Sequence, residues 1–398
     1  MNLSKKALNM EASITLALTA KAGQLKAKGV DVISFGVGEP DFNTPQNIIN
    51  AAILAMNEGK TKYTAVSGIV ELKNAIAKKL YKDNGLKYEV ENIIVSTGGK
   101  QCLFNVFAAI LNPKDEVLIP KPYWVSYPEL VKLNDGIPVF VETNREEDFK
   151  VNYKNLEKYV TNKTRAIVLN SPNNPTGSIY SKEELIEIAD FAKKYDLYII
   201  SDEMYEKLIY GTNKHISIAS LSEDAFNRTI VINGLSKAYA MTGWRVGYAA
   251  GKKEIIKLMN SIQSHTTSNV NSIAQYASLE ALTGPQDDMK IMQDEFDRRR
   301  KTMMKLLDEI PNVSYIEPKG AFYVLVNIEE VLKKYNIEGS SEFCKKLLEK
   351  ESVVVIPGIA FGEDNSIRLS YATSMDNIEK GLNRIFNFIK GLNISTIK

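Results

Sequence analysis

The stretch Val231-Ile-Asn-Gly-Leu-Ser-Lys-Ala-Tyr-Ala-Met-Thr-Gly-Trp-Arg-Val-Gly-Tyr248 decides how the chain reads. An apolar, β-branched run over 229–232 breaks at Gly234 and presents Ser236 and Lys237. Eight residues on comes Arg245, and then a second apolar run over 246–250. The pattern predicts strand, loop, strand, with a lysine and an arginine both near strand ends. A lysine so placed can form a Schiff base with a carbonyl cofactor. Ser236 and Arg245 can hold a phosphate, the arginine through its planar fork. Most lysines are solvated surface charges, so the weight of this reading rests on what the rest of the chain supplies.

Upstream, short apolar runs at 93–97, 117–119, 137–142, 166–170 and 197–200 alternate with helical patterns. The helices are expected at 102–111, through 132, near 153–160 and over 181–195. The last opens on a capping box, Ser181-Lys-Glu-Glu184. With the two runs around Lys237 this makes seven strands, mostly separated by helices. The expected fold class is α/β, a mostly parallel seven-stranded sheet sandwiched by helices, with a smaller α+β domain. Further upstream lie a loose arm, a helix over 13–28, and helices over 46–58 and 71–81. Downstream come helices over 254–282, a Gly284-Pro285 break and one long helix over 288–310. Strands are expected at 322–326, 353–356 and 367–370. The last helix carries Ile378, Leu382, Ile385 and Ile389 on one stripe. The expected division is 1–45 for the arm and part of the small domain, 46–284 for the large domain, and 285–398 for the rest of the small one.

Composition narrows the function classes. The 398 residues are 44% apolar and 25% charged with a net charge of +2, ordinary for a soluble globular protein. No basic block suggests nucleic acid or an anionic membrane as partner. No run is long enough for a membrane span, and the N-terminus lacks the apolar core of a signal peptide. Cys102 and Cys344 lie far apart, which speaks against a disulfide framework or zinc site and fits a reducing cytoplasm. With His215 and His265 as its two histidines, the chain has little for histidine-based metal or Ser-His-Asp chemistry.

In a parallel sheet, ligands bind beyond the carboxyl ends of the strands. After 93–97 comes Gly98-Gly-Lys-Gln101, whose backbone N–H groups can hold a phosphate at a helix start; two glycines equally read as a tight turn. After 117–119 comes Trp124, flat enough to stack on a pyridine ring, though an aromatic there also reads as core. After 166–170 comes Ser171-Pro-Asn-Asn-Pro-Thr-Gly177, where two X-Pro bonds suggest enforced geometry and Asn174 can donate to a phenolate oxygen. After 197–200 comes Ser201-Asp-Glu-Met-Tyr205. Asp202 there is costly without a partner, and a protonated pyridine nitrogen is such a partner. Tyr205 can reach the same phenolate as Asn174. Gly36 and Gly38, near the N-terminus, let a backbone approach a ligand, or simply make a turn. Pyridoxal phosphate asks for this combination of aldehyde partner, phosphate cradle and ring-nitrogen acid.

The motifs Asn174-Pro-Thr-Gly177, Ser201-Asp-Glu-Met-Tyr205, Ser236-Lys237, Gly243-Trp-Arg-Val-Gly247 and Ile367-Arg-Leu-Ser-Tyr-Ala372 resemble, in order and spacing, those of the class I aminotransferases. These are fold-type-I pyridoxal 5′-phosphate enzymes. The likeness covers nearly the whole chain. Gly36-Val-Gly-Glu-Pro-Asp-Phe-Asn-Thr-Pro45, Gly98-Gly-Lys-Gln101 and Tyr123-Trp-Val-Ser-Tyr-Pro128 are most similar to the prokaryotic-type aspartate aminotransferase subgroup.

The resemblance implies roles. Lys237 would form the internal aldimine and then act as acid and base. Asp202 would pair with the pyridine nitrogen, and Tyr205 and Asn174 would bind the 3′-oxygen. Ser236, Arg245, the Gly99 and Lys100 backbone and a partner subunit's Tyr63 would hold the phosphate. Trp124 would stack on the ring. Arg368 would bind the substrate α-carboxylate with Gly38 and Asn174, and Lys100, aided by Thr15, would meet a distal carboxylate. A homodimer with shared sites, residues 1–30 reaching across it, is implied, as is ping-pong conversion of L-aspartate and 2-oxoglutarate to oxaloacetate and L-glutamate. An aromatic or alanine-type aminotransferase, or a C–S β-lyase, is the alternative on the same fold. One departure stands out: subgroup members that also accept prephenate often have a basic residue where this chain has Glu11.

Overall fold

A computed structural model describes residues 2–11 and 14–395, except the side chains of 16, 19 and 393–395. Ser13, expected to start the first helix, lies outside the described residues; the helix runs Ile14–Ala27. The strands, in chain order, are β1 (Ile33–Ser34), β2 (Ile93–Ser96), β3 (Glu116–Pro120), β4 (Ile137–Val141), β5 (Thr164–Asn170), β6 (Tyr198–Asp202), β7 (Thr229–Gly234), β8 (Gly247–Ala250), β9 (Ser314–Tyr315), β10 (Tyr323–Asn327), β11 (Val353–Val354), β12 (Ile356–Pro357) and β13 (Ser366–Ser370).

Strands β2 to β8 form one seven-stranded sheet in the order β2-β8-β7-β6-β5-β3-β4. Strands β3 to β7 pair parallel, while β8 lies antiparallel between β2 and β7. The strand alternation explains the sandwich. Ile94, Ala166, Val168, Ile200, Ile230 and Ile232 pack on one face, against the helices Gly99–Ile110 and Lys253–Thr266. Ile93, Val95 and Val231 turn to the other face, under the helices Gln46–Asn57, Val70–Asn84 and Ser272–Thr283. Ile167, Leu169 and Ile199 share that second face under Lys182–Lys194. Strands buried on both faces are near-continuously apolar, which is why runs such as Ile199-Ile200 and Ile230-Val-Ile232 are legible. The capping box forms: Ser181 N–H donates to Glu184 Oε2 at 2.7 Å and Glu184 N–H to Ser181 Oγ at 3.3 Å.

A second sheet, β12-β13-β10-β9, is antiparallel and packs on the helices Asp287–Leu307, Gly339–Glu351 and Met375–Ser395. Phe296, Phe322, Phe343, Ile378, Leu382, Ile385 and Ile389 fill its core, which also takes in Tyr205 and Leu208 from the turn after β6. The expected single strand at 353–356 is two. Val353–Val354 pairs parallel with β1, whereas Ile356–Pro357 joins β13, so Val355 is the step between sheets. The helix expected at 71–81 extends to Val70–Asn84 and stops at Gly85, which adopts φ 70° as a left-handed cap. The helix near 153–160 is shorter, Tyr153–Glu157. No helix among the described residues is long and apolar enough to cross a membrane.

Candidate active site

The carboxyl ends of β2, β3, β5, β6 and β7 border a cavity of ≈ 370 Å³. Because β8 runs antiparallel, its start rather than its end lies there. That brings Arg245 to the same edge: Gly247 pairs with Gly234 on one side and with Ser96 on the other. The segment after β1 supplies Gly36 and Gly38, and the second sheet supplies Tyr323 and Arg368. Gly38, Gly99, Lys100, Trp124, Asn174, Asp202, Tyr205, Ser236, Lys237, Arg245, Arg368 and Thr15 all line it. Tyr63 does not; it stands 90% exposed on the surface.

The glycines serve close approach. Gly98 has φ +81°, and a Cβ on it would come within 2.5 Å of the Arg245 guanidinium. A Cβ on Gly247 would come within 2.4 Å of Gly99 N. The helix Gly99–Ile110 has no side-chain cap at its start. Its first N–H groups and the positive end of its dipole are therefore available to an anion. Arg245 itself, at φ 57°, donates to Thr242 O at 2.9 Å and pairs with no carboxylate among the described residues.

Asp202 is buried at the end of β6. Tyr127 Oη donates to its Oδ2 at 2.7 Å and Met204 N–H to its Oδ1 at 3.2 Å. No cation pairs with it among the described residues. Burial therefore dominates and pushes its pKa up to about 6, against those two hydrogen bonds. Lys237, half-buried, donates from Nζ to Gly38 O at 2.5 Å. Burial brings its pKa down to about 8; Glu39 opposes the shift, while Arg368 and Arg245 add to it.

Arg368 is buried with its guanidinium 4.3 Å from the centre of the Tyr323 ring and 4.9 Å from that of Phe361. It donates from Nη1 to Asn174 Oδ1 and from Nη2 to Gly36 O, both at 3.1 Å, and its Nε has no partner. Burial lowers its pKa. Lys100 lies at the cavity mouth with Nζ 5.1 Å from the Trp124 ring centre. Lost hydration where protein covers it lowers its pKa, and Arg245 adds to this.

Several cavity residues escaped the sequence reading. Tyr127 sits three residues after Trp124, inside Tyr123-Trp-Val-Ser-Tyr-Pro128, and helical spacing is the available signal. Asn170 accepts from Asn174 N–H at 2.8 Å and donates to Asp202 O at 3.0 Å, tying two neighbouring strand ends. Tyr323 reads as ordinary strand core in an apolar run, and only its cross-strand register places it at the site. Glu203 and Glu206 alternate with Asp202 and Tyr205 in one turn but enter a buried ionic cluster instead. Glu203 accepts from Ser201, Ser217 and His215, and Glu206 is held by Lys79 and Asn84. Glu206 remains ionised: burial raises its pKa, but Lys79 foremost and His215 outweigh this and bring it to about 2.

This fold and site define a class. Residues 30–385 match the family described as aminotransferase class I and II, and the chain belongs to that family. Within it, the chain is 50% identical to an aspartate aminotransferase of Bacillus subtilis (strain 168), over 98% of this chain and 99% of the relative. It is 48% identical to an aspartate aminotransferase of Bacillus sp. (strain YM-2), over 98% and 99%. Its structure is similar to that of the aspartate aminotransferase from Thermus thermophilus solved with maleate, with a TM-score of 0.93 and 42% identity, covering 98% of this chain and all of the other.

Proposed function

We propose that the protein is a pyridoxal 5′-phosphate-dependent aspartate aminotransferase. It passes the amino group of L-aspartate to 2-oxoglutarate in a ping-pong cycle and releases oxaloacetate and L-glutamate. The observation that carries this reading is one of charge. In a single cavity, and among the described residues, Asp202 is buried without a paired cation, Arg245 and Arg368 stand without an anion, and Lys237 keeps a low pKa. Buried charges are normally paired, so Asp202 and Arg368 ask for a protonatable ring nitrogen and a carboxylate; the exposed Arg245 beside the uncapped start of the helix Gly99–Ile110 offers a place for a phosphate, and Lys237 an amine for an aldehyde.

The residues fit that group. The Gly99 and Lys100 N–H groups, Ser236 and Arg245 would hold the phosphate, the close packing at Gly98 and Gly247 leaving no room for side chains there. Asp202 would face the ring nitrogen, steadied by Tyr127. Tyr205 and Asn174, whose Nδ2 donates to nothing within the described chain, would face the 3′-oxygen, and Trp124 would cover the ring. When bound, pyridoxal phosphate supplies a carbonyl carbon that takes up amines and a ring that stores the electron pair freed at the substrate Cα. Lys237 would anchor the group, and its Nζ, once freed, would take the Cα proton and return it. A pKa of about 8 suits an amine that must do both near neutrality. Nη1 and Nη2 of Arg368 each keep one N–H beyond those given to Asn174 and Gly36, and these would meet the α-carboxylate; Nε is sealed off in the packing. The small sheet, with Arg368 and Tyr323, would close over the bound substrate and exclude water.

For the distal carboxylate we assign Lys100, with Thr15 also in the cavity wall. The Thermus thermophilus relative was solved with maleate, itself a dicarboxylate. Lys100→Ala is expected to lower kcat/KM for L-aspartate about 10- to 100-fold, the worth of a charge-assisted contact. The value for L-alanine should stay within about twofold. Equal losses for both substrates would remove Lys100 from this role. Glu11 lies beside Glu129, to whose Oε2 its N–H donates at 3.2 Å, and both carboxylates act on Tyr123 next to Trp124. Prephenate, whose ring carboxylate would meet this negative charge, is expected to react far more slowly than L-aspartate; comparable initial rates would contradict this.

We also propose a cytoplasmic homodimer with shared sites. Two features support it: Tyr63 stands exposed and would reach the phosphate of the partner subunit, and Ile53, Leu54, Met56 and Val70 leave apolar surface on neighbouring helices. Both cysteines are free and buried, as a reducing compartment allows. The arm of the single chain lies on its own helix Ser126–Leu133, where Lys6 donates to Leu133 O and pairs with Asp135. Light scattering at twice the chain mass would accord with the dimer. The function itself is tested by incubating the purified protein with pyridoxal phosphate, L-aspartate and 2-oxoglutarate and following oxaloacetate and L-glutamate. Equimolar formation of both is expected. Pyruvate and ammonia formed without any 2-oxo acid would instead make it a lyase.

A further inference from the structure

We propose that Tyr323 is a positioning residue with two separable tasks: its ring seats Arg368, and its hydroxyl aims the hydroxyl of Tyr205. The inference rests on the functional reading above and goes beyond it. In the β10–β13 ladder Tyr323 lies opposite Ser370 and Leu325 opposite Arg368. Tyr323 and Arg368 are thus diagonal neighbours on one face, within reach of long side chains. The Tyr323 ring takes the guanidinium on its face at 4.3 Å. Its hydroxyl reaches away from the small sheet to the hydroxyl of Tyr205, at 3.1 Å. Gly38 leaves room for it, since a Cβ there would come within 3.2 Å of the Tyr323 oxygen.

Proton counting gives the direction of this bond. A tyrosine hydroxyl has one proton. If Tyr205 donates to the cofactor's 3′-oxygen, it has none left for Tyr323, so Tyr323 must be the donor. A hydroxyl that accepts one hydrogen bond becomes a stronger donor in the next. Tyr205 with Tyr323 behind it therefore holds negative charge on the 3′-oxygen better than Tyr205 alone. Both hydroxyls stay protonated in this setting. The charged groups facing them are Arg368 from β13, Glu39 from the segment after β1, Asp202 from the end of β6, and Lys237, whose Nζ lies 5.9 Å from the centre of the neighbouring Phe322 ring.

The test uses the loaded enzyme and three variants, with the pH titration of its visible absorption band beside steady-state kinetics. Tyr323→Phe keeps the ring and loses the hydroxyl. It is expected to raise the midpoint of the band by about 0.5–1 pH unit and to lower kcat about 3- to 10-fold, with KM for L-aspartate within about twofold. Tyr323→Leu also loses the ring and should raise KM as well. Tyr205→Phe raises the midpoint by itself, and adding Tyr323→Phe to it should move it no further, because the second residue acts through the first. A Tyr323→Phe midpoint equal to the wild type, or a full further shift on top of Tyr205→Phe, overturns this inference alone. A wild-type protein without a titrating visible band overturns the functional reading and this inference with it. Thermal unfolding of each cofactor-free variant, expected within a few degrees of wild type for Tyr323→Phe, separates these effects from misfolding.

Discussion

Lys237→Ala is expected to leave a folded protein whose kcat/KM for L-aspartate is at least about 10⁴-fold lower. The size follows from two tasks resting on one atom. In the proposed function Nζ would anchor the cofactor's carbonyl carbon and would also serve as the base for the Cα proton; alanine removes both at once. Other cavity residues are poor substitutes. Tyr205 and Tyr323 are held protonated by burial. Arg245 and Arg368 hold their protons in any working range. The fold should not suffer, because the Lys237 ammonium makes one hydrogen bond, to Gly38 O, and no ion pair among the described residues. Initial rates and circular dichroism on the same sample check both halves. A residual rate within tenfold of wild type would mean that another group carries the proton.

Asp202→Asn is expected to cost about 10³-fold in kcat while stabilising the cofactor-free protein. The amide keeps the shape and the acceptor that Tyr127 uses; it gives up the weaker acceptor for Met204 N–H and the charge that would face the ring nitrogen. The stability effect follows from linkage. The folded pKa of Asp202, about 6, lies above the ordinary 3.8. The unfolded chain therefore loses this proton first as pH rises. Between about pH 4 and pH 6 the folded state binds more protons, so its stability falls across that window by up to about 3 kcal/mol. Asparagine has no such term. The variant should unfold at a higher temperature than wild type at pH 7.5, and the difference should close near pH 4. Cofactor bound opposite Asp202 should cancel the wild-type deficit, since a protonated ring nitrogen gives the carboxylate its missing partner. A cofactor-free variant no more stable than wild type at pH 7.5 would mean that the carboxylate is better solvated than its burial implies.

The sequence makes the large sheet legible because buried parallel strands are apolar on both faces. Runs such as Ile230-Val-Ile232 stand out, and the chemistry follows at their ends. Arg245 is legible for a different reason: its spacing from Lys237 matches a known motif, while the antiparallel course of β8 that brings it to the cavity edge has no signature in composition. Tyr323 is hidden because a tyrosine in an apolar strand packs as core, and only the register against β13 aims it at Arg368. Glu203 and Glu206 are hidden for the converse reason. Acidic residues in a turn read as solvated, yet Lys79 from a distant helix, His215 and Ser217 from the stretch that follows the turn, and Ser201 from the end of β6 satisfy them. Short strands such as β1 and β11 depend on each other for pairing and carry no periodicity of their own. A residue that works in a neighbouring subunit, as proposed for Tyr63, looks in one chain like an exposed aromatic and nothing more.

The central claim, that Lys237 and its neighbours hold a carbonyl cofactor and exchange its oxygen for the amino group of L-aspartate, is tested most directly by one absorbance experiment. The spectrum of the purified, cofactor-loaded protein is recorded before and after adding L-aspartate alone. The account predicts a visible band that moves to the near-ultraviolet and returns when 2-oxoglutarate is added. A band that L-aspartate leaves in place would contradict the substrate assignment. No band at all, even after incubation with pyridoxal phosphate, would contradict the role given to Lys237.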